Sequence, residues 1–226
     1  MLTLSYLTPD PETFGKRRGM MIILSSPSGA GKSSTSRMIL AADKDIDLSV
    51  SATTRNIRPG EEDGVHYHFV SHDTFESMIA DNAFFEHAKV FDNYYGTPKK
   101  PVFDALEQGK DVMFDIDWQG AQQMRHEARE DIVSIFLLPP SVADLKTRLM
   151  ARNQDDEATV AKRMQGAEGE ISHWAEYDYV LINRDLDETV RAVQSIIAAE
   201  RLKRRRQPGT SKFAAQLLHE AQELKA

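Results

Sequence analysis

Short apolar runs alternate along the chain with stretches in which apolar residues recur every three or four positions. Runs of the first kind occupy 20–25, Asp111–Asp115, 132–137 and Tyr179–Ile182. Their nearly unbroken apolar character predicts strands buried on both faces, the form strands take in a parallel sheet covered by crossover helices. Helical patterns follow each run, at 31–41, 119–126, 141–150 and 186–206. The first opens from a glycine-rich turn, and the third starts at Ser141, a capping residue, after Pro139-Pro140. Repetition of strand and helix in this order predicts an α/β domain.

Between about 49 and 98 the texture changes. Residues 65–70 alternate as a strand does, 74–80 follow a helical period and 84–91 read as extended, with Pro, Gly, Asp and Asn between them. This stretch is expected to form a small inserted α+β subdomain. A second patch, 152–173, is polar and lacks a sustained apolar face, which suits a mobile lid. Residues 1–19 carry Pro9, Pro11, Lys16, Arg17 and Arg18 and read as a loose leader, with Met20 or Met21 an alternative start. The tail, 207–226, has Phe213, Leu217 and Leu218 at helical spacing, as in a short docking helix or a frayed end. The main domain is therefore expected over 20–206, with a core made of 20–48, 99–151 and 174–206.

A length of 226 residues is about one and a half average domains, which fits one domain with an insertion. With 28 basic and 35 acidic residues the net charge is −7, so no overall field draws in nucleic acid or anionic membrane. Any anion must be held by locally clustered cations. The absence of cysteine excludes disulfides, thiolate metal sites and a cysteine nucleophile, and suits a reducing cytosol. The apolar run at 20–24 is far shorter than the ~20 residues that cross a bilayer.

Directly after the first run comes Ser26-Pro27-Ser28-Gly29-Ala30-Gly31-Lys32-Ser33, and then a helix. This is the context a phosphate-binding loop requires. Glycines let backbone N–H groups converge on phosphate oxygens, the helix start adds its dipole, Lys32 can reach the β and γ phosphates and Ser33 can ligate Mg²⁺. Ser26 stands where the G-x-x-x-x-G-K-[ST] pattern has glycine, and serves there only with a negative φ. Further on, 49–61 place Arg55 and Arg58 three apart among hydroxyl residues, followed by Gly64 and Tyr67. Arginine forks and hydroxyls together make a phosphate clamp. Phe85-Glu86-His87 and Asn93-Tyr94-Tyr95-Gly96-Thr97 add a carboxylate, two phenols and a hydroxyl.

Over about 20–206 these motifs strongly resemble the guanylate kinase family, P-loop enzymes that move the γ-phosphoryl group of ATP onto GMP. The resemblance rests on the phosphate loop, S-x-T-T-R-x-x-R-P-G-E, N-Y-Y-G, D-x-D-x-Q-G and an arginine-rich segment ending in Y-D-Y-x-x-x-N. It implies a P-loop NTPase-type α/β fold, with a parallel sheet, flanking helices, a GMP-binding insertion at 49–98 and an arginine-rich lid at 152–173. It implies that Ser26 to Ser33 hold ATP and its Mg²⁺, with Asn183 on the adenine. Arg55, Arg58, Tyr67 and Tyr95 would hold the GMP phosphate, and Ser51, Glu86 and Thr97 would read guanine. Guanine suits them, because its N1–H and N2–H₂ are adjacent donors to a carboxylate and its O6 accepts from a hydroxyl. A site built this way can reject the wrong base by ~10⁴-fold.

The resemblance also implies that Asp117 lies on the GMP side or contacts Mg²⁺ through water, with Asp115 behind it. Lys32, Arg148, Arg152 and Arg163 would be catalytic, with Arg148 and Arg152 on one helix face. The family has glycine after the lid-base arginine, where this chain has Asn153. A peptide-binding module of the same fold without catalysis, and a kinase of phosphorylated ribose, remain as alternatives. The intact Lys32, Ser33, Arg55 and Arg58 argue against the first, and Glu86 with Ser51 and Thr97 against the second. ATP and GMP are the expected partners, without nucleic acid or membrane, and the oligomeric state is open, a homodimer included. His66 and His68 read as solvent or hydrogen-bonding residues. The run 203–206 reads as cations closing the last long helix.

Overall fold

The computed structural model describes residues 7–90, 92–151 and 157–225. Its strands in chain order are β1 (Met21–Ser25), β2 (Ile46–Leu48), β3 (Ala52–Thr53), β4 (His68–Phe69), β5 (Phe84–Val90), β6 (Asn93–Pro98), β7 (Asp111–Asp115), β8 (Ile132–Leu138) and β9 (Tyr179–Ile182). The helices are α1 (Pro11–Phe14), α2 (Lys32–Ala42), α3 (His72–Ala80), α4 (Lys99–Glu107), α5 (Trp118–Ala128), α6 (Val142–Ala151), α7 (Glu157–Ser172), α8 (Leu186–Arg201) and α9 (Gly209–Glu223).

Five strands form a parallel sheet in the order β2-β7-β1-β8-β9. Alternate residues of β1, with Met20 just before it, feed two separate cores. Met20, Ile22 and Leu24 join Met113, Val133, Ile135 and Leu137 under α2 and α8, through Ile39, Val190, Val193 and Ile197. Met21 and Ile23 join Val112, Phe114, Ile132 and Phe136 under α4 and α5, through Val102, Leu106, Ala121 and Met124. Burial on both faces is why these strands read as continuous apolar runs. Each such side chain contributes about 1.5–3 kcal/mol by leaving water. The arrangement puts the loops after β1 and β7 side by side at the carboxyl ends of the strands, where open α/β sheets bind ligands.

The 49–98 stretch builds a second, four-stranded sheet in the order β4-β3-β6-β5, with α3 against it. Its small core is a ring stack, with Phe75 4.4 Å from Phe84 and 5.3 Å from Tyr94. The strand expected over 65–70 shrinks to His68–Phe69. Gly64 takes a φ of +76°, and the Asp63 carboxylate accepts the Phe69 N–H at 2.8 Å, which makes the approach a turn. Two strands with weak sequence signals, β3 and β6, pair antiparallel through Ala52–Gly96 and Thr53–Tyr95.

The helix expected over 186–206 ends at Arg201, because Lys203 is extended at φ −59°, ψ 134° and a separate 3-10 turn covers Arg204–Arg206. Arg206 is not a solvated terminal cation but is 1% exposed, reaching Glu200 and the Gly19 carbonyl. The expected loose leader is tied down over 7–19. Arg17 forks onto the fully buried Asp111 at 2.7 and 2.9 Å, and Arg18 onto Asp131 at 2.7 and 2.6 Å. Arg201 reaches the same Asp111 at 2.7 Å, and Phe14 of α1 meets Phe213 of α9 edge-on at 5.2 Å.

Candidate active site

The loop after β1 turns at Gly29 and Gly31, whose φ angles are +90° and +105°. A Cβ at Gly31 would lie 2.3 Å from Asn183 Nδ2, so both conformation and close approach require glycine there. Among the described residues Asn82 is the only non-glycine with positive φ, so Ser26 keeps the negative φ it needs. Gly31 caps α2 without any side-chain acceptor, which leaves the first N–H groups of the helix open to an anion.

Several groups outside the loop brace it. Asn183, buried at the end of β9, donates Nδ2–H to the Ala30 carbonyl at 2.7 Å, and its Oδ1 accepts from Thr189 at 3.0 Å. Both ends of its amide are thus engaged within the protein. Arg148, on α6, donates to the Asn183 carbonyl at 3.0 Å. Leu145 and Leu149 of α6 pack with Ala30 and with Met164 and Ala167 of α7. The polar stretch 152–173 therefore does carry an apolar contact, at its second half.

Lys32 Nζ lies 2.5 Å from Asp115 Oδ1 and 3.3 Å from the Ile116 carbonyl, and Ser33 Oγ is 3.4 Å from Asp115 Oδ2. Asp115 is thus the aspartate at the phosphate loop. Asp117, two residues on, uses its carboxylate to accept the Gly120 N–H at 2.9 Å and cap α5.

On the other side of Asp115 opens a cavity of about 180 Å³ lined by residues that include Ser51, His66, Tyr67, Thr97, Asp115 and Ile116. Thr97 on β6, almost fully buried, donates to Glu86 Oε1 of β5 at 2.6 Å. Burial pushes the Glu86 carboxyl above the usual carboxylate range, against the Thr97 hydrogen bond, and the nearby Asp117 pushes the same way. Arg55 forks onto Glu61 at 3.0 and 2.7 Å and lies over the Tyr67 and Phe69 rings at 5.5 and 5.7 Å. Tyr95 meets Tyr67 edge-on at 6.0 Å. Arg58 is exposed, and its backbone N–H donates to Glu61 at 2.8 Å.

The chain is similar to known proteins along most of its length. A family model described as "Guanylate kinase" matches residues 18–200. The chain is 57% identical to the guanylate kinase of Paramagnetospirillum magneticum over 201 residues, covering 89% of this chain and 94% of that one. It is 59% identical to that of Sphingopyxis alaskensis over 202 residues, covering 89% and 92%. The crystal structure of guanylate kinase from Anaplasma phagocytophilum superposes with a TM-score of 0.67 at 38% identity, covering 88% of this chain and 94% of that one. The chain belongs to the guanylate kinase family.

Against the residues that the family resemblance singled out, the structure brings Ser51, Tyr67 and Thr97 around one cavity, with Glu86, Tyr95 and Arg55 in contact with its walls. It sets Lys32 and Ser33 against Asp115, and Arg148 against the Asn183 carbonyl. Arg163 lies half-buried on α7, and Arg152 with Asn153 lies outside the described residues. Two contributors, Glu61 and Glu170, went unassigned in the sequence, and His66 makes the hydrogen bond expected of it. Glu61 stands in the R-P-G-E motif itself, His66 borders the cavity while its Nδ1 accepts from the Glu62 N–H at 3.0 Å, and Glu170 of α7 meets the phosphate loop. Trp118 stacks on His173 at 3.6 Å between centroids, pinning the segment after α7 to the start of α5.

Proposed function

We propose that this guanylate kinase family member transfers the γ-phosphoryl group of ATP to GMP and dGMP, with Mg²⁺ bound alongside the triphosphate. The observation that carries the reading is that Asp115 and Ile116 belong to two places at once: they hold Lys32 of the phosphate loop and they line the cavity bordered by Thr97 and Ser51. Donor and acceptor phosphates would meet across that shared wall.

Among the described residues no cluster of three His, Cys, Asp or Glu could hold a metal by itself. The donors present, the Ser33 hydroxyl and the Asp115 carboxylate, are hard oxygens of the kind Mg²⁺ takes when phosphates supply the rest of its shell. When bound, the ion would neutralise phosphate charge. The protein's own residues do the remaining work. The second pKa of the GMP phosphate is near 6, so the acceptor is largely a dianion at neutral pH and needs no general base. Catalysis is then positioning and charge. The open N–H groups of α2 and Lys32 hold the donor phosphates, Arg55 and Arg58 hold the acceptor phosphate, and Arg148, Arg152 and Arg163 offset charge on the transferred group. Glu86, Thr97 and Ser51 read guanine, and Asp117 supports that wall.

In this reading the insertion at 49–98 and the lid at 152–173 close on the core and keep water from ATP. The reading includes a cytosolic location, for which the cysteine-free composition is the support. Among the described residues no helix is long and apolar enough to cross a membrane. The test is a coupled ADP-release assay with ATP, Mg²⁺ and each of GMP, dGMP, AMP, UMP and CMP. Turnover confined to GMP and dGMP supports the reading. Turnover with AMP or a pyrimidine would overturn the acceptor assignment, and folded protein that binds GMP without turnover would overturn the reaction.

A further inference from the structure

Helix α7 ends its course over the phosphate loop, and Glu170, half-buried in its last turn, accepts the Ser28 backbone N–H at 2.9 Å on Oε2. The same helix reaches the loop through Met164 and Ala167, which pack on Ala30 together with Leu145 and Leu149 of α6. From the opposite side the Asn183 amide holds the Ala30 carbonyl. The Pro27–Ser28 peptide is therefore held through its N–H, and the Ala30–Gly31 peptide through its C=O, by groups outside the loop. Between them Gly29 turns at φ +90°, and the Ala30 N–H closes the turn on the Pro27 carbonyl at 3.1 Å.

We propose that Glu170 is a positioning residue for the donor nucleotide. It orients the Ser28 peptide of the phosphate loop and makes the loop's geometry depend on the seating of α7. This rests on the reading of the protein as an ATP-dependent kinase. A carboxylate beside a triphosphate seat is electrostatically unfavourable, so charge is not what the position supplies. What it supplies is an acceptor, anchored on a helix that is itself packed on the loop.

The acceptor can be separated from the charge. Glu170→Gln keeps an oxygen for the Ser28 N–H and removes the charge, whereas Glu170→Ala removes both. A hydrogen bond to a charged partner carries enough free energy for a change of about tenfold or more when lost. In Glu170→Ala, kcat/KM for ATP should fall about tenfold, while the KM for GMP at saturating ATP stays within about twofold. Glu170→Gln should restore ATP kinetics to within about threefold of the native protein. Hydrogen exchange at the Ser28 amide, which needs no turnover, should accelerate in the Ala variant and stay slow in the Gln variant.

Two results would overturn the proposal. One is an Ala variant with native ATP kinetics and a protected Ser28 amide. The other is tighter ATP binding in both variants, which would make the carboxylate an anion that ATP displaces. A thermal melt of each variant separates loss of fold from loss of positioning. If the native protein turned over no acceptor, the kinase reading would fail by itself, and exchange at Ser28 would still decide whether Glu170 holds the loop.

Discussion

Glu86→Gln separates recognition from stability, and the two effects carry opposite signs. The carboxylate of Glu86 holds the Thr97 hydroxyl at 2.6 Å on one oxygen and would offer acceptors to the N1–H and N2–H₂ of guanine. An amide keeps one acceptor and turns an NH₂ donor toward a guanine donor. The loss is one charge-assisted hydrogen bond, worth about 1.5–3 kcal/mol, together with a poorly paired donor at about 1–3 kcal/mol. Because Glu86 is only half-buried, the lower part of the summed range applies, about 2.5–4 kcal/mol. That corresponds to roughly seventy- to nine-hundred-fold in kcat/KM for GMP. The KM for ATP should be unchanged. Burial raises the Glu86 pKa, so its ionised form costs the folded protein stability above that pKa, and the penalty disappears as pH falls through it. Glutamine carries no such penalty, so the variant should melt at or above the native temperature at pH 7. Steady-state kinetics with GMP, dGMP and AMP, beside a calorimetric melt, test both halves. A loss under tenfold, or a clear drop in melting temperature, would refute the assignment of Glu86 to the base.

Other outcomes follow from the same geometry. Gly31→Ala forces a left-handed residue, at about 1–2 kcal/mol, and breaks the bond from Asn183 to Ala30, so urea unfolding should show a loss of about 2 kcal/mol or more with weaker ATP binding. Gly166→Ala, in open space on α7, should be neutral or stabilising by up to about 1 kcal/mol in the same experiment. The Glu61 carboxyl, held at about 2 chiefly by Arg55, is depressed in the folded state, so the contribution of this pair is present above the ordinary carboxylate range and lost as pH falls from about 4.5 toward 2. Carboxyl titration by NMR checks this, and an ordinary midpoint for Glu61 would mean that Arg55 is not held there.

The parallel sheet was legible because burial on both faces leaves a signature any single strand displays, as 20–25 does. The phosphate loop was legible because its spacing is set by atoms of the loop itself. The four-stranded sheet was not, since β3 has two residues and β6 reads Asn-Tyr-Tyr-Gly-Thr-Pro, whose pairing depends on partners far along the chain. The division of labour between Asp115 and Asp117 was not legible for a related reason. Which of two aspartates caps a helix depends on where α5 begins, a boundary that local sequence fixes only within a few residues. The last helix read too long because four cations in a row at 203–206 look like a solvated helix end, whereas Arg206 turns inward to Glu200. Glu170 gave no signal at all, because its partner is a backbone N–H 142 positions away.

The wall shared through Asp115 has a thermodynamic consequence. Lys32 neutralises Asp115 on one side while the same residue lines the cavity bordered by Ser51 and Thr97 on the other. A ligand that draws Lys32 away leaves that cavity more negative, and a ligand that changes the field in the cavity alters the hold of Asp115 on Lys32. The two sites therefore share a free energy of interaction. By linkage, whatever factor one nucleotide imposes on the affinity of the other is returned in equal measure. On the proposed assignment of the two sites, each nucleotide acts as an effector of the other before any phosphoryl group moves.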